Sequence, residues 1–176
     1  FPGRRFIRAL TTLSMVLPPV VGGIALLFTF GRRGLIGQYL DSWFGIRIPF
    51  TTTAVVMAQC FVAMPFLVLT VEAALRQLDS RFEGAARTLG GTRWYVFRRV
   101  TLPSIRPSLF AGIVLAWARA LGEFGATITF AGNLPGTTQT MPLATYAARD
   151  SNPESAFILS LVMIAIAFTI LIVLRD

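Results

Sequence analysis

The chain has 176 residues, with no histidine, no lysine and a single cysteine, Cys60. These absences exclude a disulfide framework within the chain, a metal site built from cysteine and histidine, and catalysis by a histidine base. Cys60 lies inside an apolar run, where it is best explained as a small buried hydrophobic residue. The sequence therefore predicts no catalytic residue, no cofactor and no metal ligand.

Charge is also scarce. Only 14% of the residues are charged, against about a quarter in soluble domains. Hydrophobic residues make up 55% of the chain and the mean hydropathy is +0.69. Stretches of about twenty apolar residues are what a hydrocarbon core of about 30 Å requires of a spanning helix. The composition predicts an all-α polytopic membrane protein.

Four stretches are apolar enough to span the membrane, at about 10–30, 51–75, 107–130 and 155–174. Pro18 and Pro19 lie within the first of them and predict a kink there. Glu72 is the only charge in the second stretch, and the fourth is uncharged between Ser155 and Leu174. We therefore expect about four spanning helices.

The net charge of +8 is carried by arginine. In a soluble protein this excess would suggest nucleic-acid binding, but in a membrane protein it fits cytoplasmic loops. With the N-terminus inside, most arginines lie on the cytoplasmic side. Those left outside are Arg32, Arg33, Arg47 and Arg149. The positive-inside rule favours this orientation.

Both outer loops are predicted to contain a short helix. Residues 36–44 have Leu40, Trp43 and Phe44 at helical spacing, which is typical of a helix at the membrane interface. In the second loop, 131–154, we expect a helix with Pro142 at its first position. That loop fits either the entrance of a pathway or a solvated connector.

A basic segment, 77–106, separates two apolar stretches and is predicted to form a helix-turn-helix. Ser80 and Glu83 have the spacing of a capping box. After the cap, apolar residues follow at helical spacing and form one stripe. The stripe consists of Phe82, Ala85, Ala86 and Leu89.

Gly90 and Gly91 are expected to end this helix, because glycine adopts the left-handed C-cap without a Cβ penalty. Thr92 is expected to cap a second helix reaching Arg99, and Pro103 is expected to stop it. Such a segment suits either docking to a partner protein or lying on anionic headgroups. The combination of cap, small residues and double-glycine stop favours docking.

Arg119 and Glu123 are the opposed charges well inside a predicted span, at i and i+4. Intramembrane charges indicate function by default, although a structural pair bracing the helices is the simpler interpretation. Gly122 and Gly125 flank Glu123 and permit close packing at a dimer interface or a gate. These four residues are the candidates for a pathway or gate.

The basic segment resembles the EAA loop of ABC-importer permeases. The matching residues are Gly84-Ala85-Ala86, then Gly90, then Val100-Thr101-Leu102-Pro103. The sequence departs from that pattern at Gly84, where the family usually has an acid, and Glu83 precedes it. The resemblance implies a docking site for an ATPase subunit. Its residues are Phe82, Glu83, Ala85, Ala86, Leu89, Gly90 and Pro103.

Four further stretches resemble the permeases of the molybdate, tungstate and sulfate group, and of the molybdate type in particular. They are residues 17–22, 31–34, 43–46 and 120–127. The resemblance covers nearly all of the chain. It implies one transmembrane domain over residues 1–176 that is incomplete at its N-terminus, with a coupling loop at 77–106.

The resemblance also implies the partners and the location. We expect a homodimer in the bacterial inner membrane, two cytoplasmic ATPase subunits and an extracytoplasmic oxyanion-binding protein. Arg32, Arg33 and Arg47 lie where the binding protein would dock, or they meet lipid phosphates instead. Because the chain lacks the Gly-x4-Gly-Lys-Ser/Thr phosphate loop, ATP hydrolysis is expected on a separate subunit.

The expected function is therefore molybdate import by an ATP-driven permease, with no enzymatic activity in this chain. A sulfate, thiosulfate or tungstate permease is the alternative within the group. An ATP-independent channel or secondary transporter would leave the capped cytoplasmic turn without a purpose. A membrane enzyme would need convergent acid, base or metal groups, which Glu72 and Glu123 supply poorly.

Overall fold

The computed structural model describes residues 3–175, and this part of the chain contains no β-strand. Its helices, in chain order, are α1 (Arg4–Val16), α2 (Pro19–Phe30), α3 (Gly37–Phe44), α4 (Thr52–Gln77), α5 (Ser80–Thr88), α6 (Arg93–Val96), α7 (Leu102–Leu121), α8 (Gly125–Phe130), α9 (Met141–Ser151) and α10 (Pro153–Arg175). A π-helical turn, Phe97–Thr101, joins α6 to α7. The all-α class predicted from composition is confirmed.

Three helical stretches are long and apolar enough to cross a membrane: Thr52–Gln77, Arg93–Leu121 and Pro153–Ile172. The first and last match the predicted spans at 51–75 and 155–174. The middle one differs from the predicted span at 107–130. It begins earlier because neither Pro103 nor Pro107 interrupts the helix, and it ends at Leu121, before a break at residues 122–124.

The first predicted span, 10–30, is two helices rather than one kinked helix. Leu17 and Pro18 between them are extended, with ψ of 135° and 134°. Each precedes a proline, whose ring disfavours helical geometry in the residue before it. The resulting α2 has 12 residues, which makes it a shorter apolar helix.

Two compact units divide the chain. The larger one comprises the residues up to Pro65 together with those from Trp117 onward. Its core joins one face of α4 to α8 and α2. The buried residues are Ala54, Val55, Ala58, Val62, Ala126, Phe130 and Ala131. Phe30 of α2 packs on Phe130, with ring centroids 6.5 Å apart.

The smaller unit, Phe66–Ala116, contains the second half of α4, then α5, α6, the π turn and most of α7. Gly112 of α7 faces α4 closely, because a Cβ there would lie 3.1 Å from Leu67 and 3.2 Å from Thr70. This unit holds the basic segment.

The short helices predicted in the outer loops are present as α3 and α9. Gly45, with φ 64°, caps the C-terminus of α3 in the left-handed conformation. The rings of Tyr39 and Trp43 contact each other along α3, tilted by 50° with centroids 5.3 Å apart, and both are exposed. Thr140 occupies the N-cap of α9, so Pro142 is the second helical residue and not the first as predicted, and the Thr140 hydroxyl makes no capping hydrogen bond.

Candidate functional site

The predicted apolar stripe lies on α5 and its C-cap residue, Leu89, and is open to its surroundings. Phe82 is 61% exposed and Leu89 is 88% exposed. Ala85 is exposed and Ala86 half-buried between them. Two large hydrophobic side chains flanking a small-residue patch form a surface that a partner with a matching cleft would bury. The structure thus brings these four residues together.

The N-terminus of α5 differs from the predicted capping box. Asp79, not Ser80, is the N-cap, and its carboxylate accepts a hydrogen bond of 2.9 Å from the backbone N–H of Arg81. Ser80 is the first helical residue. Aspartate caps as well as serine does, so the earlier of two adjacent capping residues takes the position.

Glu83 also departs from its predicted role, because it bonds outward rather than back to the cap. One of its carboxylate oxygens accepts a 2.6 Å hydrogen bond from the hydroxyl of Thr101. The other lies 3.7 Å from the guanidinium of Arg87. Since Thr101 is buried, this bond fixes α5 to the start of the spanning helix.

Gly90 ends α5 as predicted, with φ 84° in the left-handed region. Its N–H donates to the carbonyl of Arg87, and the N–H of Gly91 donates to that of Ala86. A Cβ on Gly91 would lie 2.6 Å from the Ala86 carbonyl oxygen. One glycine therefore provides the backbone angle and the next provides the close approach.

Thr92 caps the following helix, as predicted, by accepting a 3.2 Å hydrogen bond from the N–H of Tyr95. The prediction that Pro103 stops this helix is wrong. The π turn precedes the proline, and in it the N–H of Leu102 bonds to the carbonyl of Phe97, five residues back. This wider turn lets the helix continue past a residue that has no N–H to donate. Pro103 therefore lies in α7 and not on α5.

Arg119 and Glu123 form the predicted pair, at 2.9 Å, and Glu123 is almost fully buried. The second carboxylate oxygen of Glu123 accepts a 2.8 Å hydrogen bond from the N–H of Ala126, in the first turn of α8. Glu123 therefore connects the last turn of α7 to the first turn of α8 across the break. Both oxygens have partners, which supports the structural interpretation of the pair.

The glycines beside Glu123 differ in their surroundings. A Cβ on Gly125 would lie 3.0 Å from the side chain of Val20, so α8 approaches α2 closely there. Gly122 has open space around its Cβ position. Gly23 of α2 is tighter still, because a Cβ there would collide with the backbone of Ala126 and the hydroxyl of Thr129.

In the first of the loops predicted to lie outside, Asp41 of α3 bonds two arginines of the same loop. Its carboxylate lies 2.9 Å from Arg47 and 3.1 Å from Arg32. The hydrogen bond from Arg47, with a further one from Arg32, holds the pKa of Asp41 below its ordinary value. Arg33 is exposed and makes no ion pair with any residue from 3 to 175. Of these three arginines, Arg33 is thus the one whose charge is not neutralised by a residue that the structure describes.

A second group of contacts lies on α9, in the other loop predicted to lie outside. Phe124, in the break, meets the ring of Tyr146 edge-on at 5.2 Å, and Arg149 lies over the same tyrosine ring. Arg149 also bonds Asp150, which raises the pKa of the guanidinium and lowers that of the carboxyl. These contacts connect the break to the second outer loop.

Sequence reasoning missed the partners Thr101, Asp41 and Gly23. Thr101 stands 18 residues after Glu83, and no local pattern joins them. Asp41 offered a weak signal, as the single acid in a loop with three arginines. Among residues 3–175, no group of three or more Cys, His, Asp or Glu side chains comes together to hold a metal ion.

Comparison with known proteins adds the family. A model of the family described as "Binding-protein-dependent transport system inner membrane component" matches residues 1–176. The chain belongs to this family. With its apolar helices, it is a multi-pass protein of the inner membrane.

Its relatives include molybdenum and sulfate transport system permease proteins. The chain is 52% identical to the molybdenum transport system permease protein ModB of Mycobacterium tuberculosis, over 93% of the chain and 61% of the relative. It is 49% identical to ModB of Escherichia coli K12, over 83% and 64%. It is 42% identical to the sulfate transport system permease protein CysT of Salmonella typhimurium, over 81% and 51%. The chain thus spans less than two thirds of the length of each.

Proposed function

We propose that this chain is the membrane-spanning permease part of an ATP-driven ABC importer that carries molybdate. The observation that carries the proposal is the exposed apolar stripe on α5. A side chain as large as Leu89 is almost fully exposed at the C-cap of a helix that is fixed at both ends. This arrangement suits a docking surface, because its geometry is held before a partner binds.

The stripe, with Gly90 at its end, is proposed to receive a cytoplasmic ATPase subunit. Glu83 couples the docking surface to the spanning helix, because its hydrogen bond with Thr101 transmits movement of α5 to that helix. The whole protein is proposed to work as a homodimer with two ATPase subunits. ATP hydrolysis belongs to those subunits, because a chain without lysine contains no phosphate loop of the Gly-Lys-Ser/Thr type.

An extracytoplasmic oxyanion-binding protein is proposed as the partner on the outer side. Arg33 is the best placed of the three outer arginines to meet a carboxylate on it. Arg32 and Arg47 shape the loop through Asp41 and contribute charge at its edge. Charges at a rim mainly change the association rate and its salt dependence.

The segment Arg119–Gly125 is proposed to serve as a gate support. Glu123 has both carboxylate oxygens occupied and is buried, so it does not contact the substrate. A free carboxylate in the path of a dianion would repel it. The pair instead holds the break between α7 and α8 in one geometry.

We propose molybdate rather than sulfate as the substrate on the basis of sequence identity. The chain is 52% and 49% identical to the two ModB relatives above and 42% identical to CysT, a difference of 7 to 10 percentage points. The test is uptake of labelled molybdate and labelled sulfate by the full-length permease, reconstituted with its ATPase subunits and binding protein. Uptake of molybdate that requires ATP, with sulfate competing weakly, is the expected result.

Two other outcomes would assign the protein differently. Preferential sulfate uptake would place it with the sulfate permeases, while the coupling proposal would stand. Uptake that continues without ATP and without the ATPase subunits would make it a channel or a secondary transporter. A competition series with tungstate separates the two metal oxyanions.

A further inference from the structure

A pocket beside the start of the long spanning helix is lined by aromatic and arginine side chains. It encloses about 760 Å³. Its polar wall includes Arg98, Arg99 and Arg106, and Trp94 and Tyr95 also line it. We name it the arginine pocket. It does not include Phe82 or Leu89 of the docking stripe.

The arginine pocket is positively charged without compensation. The sequence contains no acidic residue from Gly84 to Gly122. None of its three arginines forms an ion pair with a residue that the structure describes. Arg98 lies over the ring of Trp94 at 5.8 Å, which orients its guanidinium but leaves the charge unneutralised. Three neighbouring guanidinium groups repel one another unless an anion lies between them.

The position of the pocket along the helix indicates where that anion comes from. The stretch Arg93–Leu121 has 29 residues, so it is about 43 Å long, against a hydrocarbon core of about 30 Å. The excess lies at the N-terminal end, since the apolar run begins only after Arg106. A core of about 30 Å takes about twenty residues, Leu102–Leu121, so Arg98 and Arg99 lie about 5–6 Å outside it, at the level of the lipid headgroups, and the long side chain of Arg106 reaches toward the same level.

The chemistry of the lining fits a lipid phosphate. Guanidinium groups bind phosphate oxygens with two parallel hydrogen bonds each. Leu102 and Pro103 provide an apolar wall beside the arginines, which suits the glycerol end of a lipid better than a fully hydrated ion. We propose that the arginine pocket binds the phosphate headgroup of an anionic phospholipid and holds it next to the coupling segment.

Trp94 provides a direct readout. The full-length permease is reconstituted in phosphatidylcholine vesicles containing brominated phosphatidylglycerol or, separately, brominated phosphatidylcholine at equal mole fraction. Quenching of Trp94 is obtained as the difference between the parent and Trp94→Phe. We expect the anionic lipid to quench Trp94 at a mole fraction about tenfold lower, and this preference to decrease with salt.

A charge-matched pair of variants locates the site. Arg98→Gln with Arg106→Gln removes two charges from the pocket and should abolish most of the preference, about tenfold. Arg93→Gln with Arg5→Gln removes two charges outside it and should leave the preference within about twofold. Arg98→Lys with Arg106→Lys keeps both charges and covers the case in which the glutamine pair does not fold. It should retain the preference at reduced strength.

Three results would overturn the proposal. Equal quenching of the parent by the two lipids would show that the pocket does not select anionic headgroups. Equal losses in the two glutamine pairs would assign the preference to general surface charge. Release of the brominated anionic lipid by excess inorganic phosphate would assign the pocket to a free anion.

Discussion

Glu123 shows how one buried carboxylate stabilises a break in a helix. It accepts a hydrogen bond from the N–H of Ala126 and pairs with Arg119, so one side chain serves both helix ends. The exposed pair Arg76–Glu72 has the same i, i+4 spacing on α4, at 2.7 Å, but its arginine is 57% exposed. The two pairs therefore separate the effect of burial from the effect of pairing.

We expect Glu123→Ala to lower the stability of the protein by about 2 kcal/mol or more, because it leaves the Ala126 N–H without its acceptor and Arg119 without its partner. Glu123→Gln retains an acceptor oxygen and should cost less. Glu72→Ala, the control, should cost under about 1 kcal/mol. Thermal unfolding in detergent measures all three, and equal shifts for Glu123→Ala and Glu72→Ala would contradict the assignment.

The pKa of Asp41 gives a second prediction at this scale. Since Arg47 and Arg32 hold that pKa below its ordinary value, the ion pairs stabilise the folded loop fully above the ordinary value of about 3.9. Their contribution is lost as the pH falls through the lowered pKa. The difference in melting temperature between the parent and Asp41→Asn should be constant from neutral pH to about pH 5 and should decrease below about pH 4.

Asp150→Asn is the control for this pH series. The pKa of Asp150 is lowered in the same direction by Arg149, but both side chains are more than half exposed, so the difference should be small at every pH. If the melting-temperature difference between the parent and Asp41→Asn grows on acidification, it has the wrong sign. That result would contradict the stabilisation of this loop by its ion pairs.

At the scale of elements, local signals predicted what local contacts decide. Gly90 ends α5 because a left-handed residue is needed there, and the Gly90-Gly91 pair in the sequence predicted this turn. The break at Leu17–Pro18 arises because a proline disfavours helical geometry in the residue before it. The continuous apolar run nevertheless led to the prediction of a single kinked helix. By contrast, the π turn before Pro103, the bond from Thr101 to Glu83 and the contact of Gly23 with α8 depend on packing between distant residues. No periodicity in one segment reports them.

Two glycines of the basic segment allow a test of the left-handed turn that ends α5. A Cβ on Gly84 or on Gly90 would meet no atom within 4 Å, so alanine at either position adds no clash. Gly84 lies inside α5, where alanine should stabilise the helix by up to about 1 kcal/mol. Gly90 has φ 84°, which costs a residue with a Cβ about 1–2 kcal/mol.

We therefore expect Gly84→Ala to preserve or raise the ATPase activity stimulated by loaded binding protein, and Gly90→Ala to lower it while the transporter still assembles. Both are measured on the reconstituted complex, with assembly checked by size-exclusion chromatography. Equal stimulation in the two variants would show that the left-handed turn is dispensable for coupling.

For the whole molecule, the exposed stripe on α5 has to be covered in the assembled transporter. Ala86 lies at its centre, and a glutamate there would bring an unpaired charge into a docked interface, which costs enough to weaken association by more than tenfold. We expect Ala86→Glu to abolish copurification of the ATPase subunits and uptake, while the permease still inserts. Gly84→Glu is the matched control, because it adds the same charge on the opposite face of α5, with open space around its Cβ. That variant should keep the ATPase subunits bound, and their loss from both variants would mean that charge near α5, rather than the stripe, governs docking.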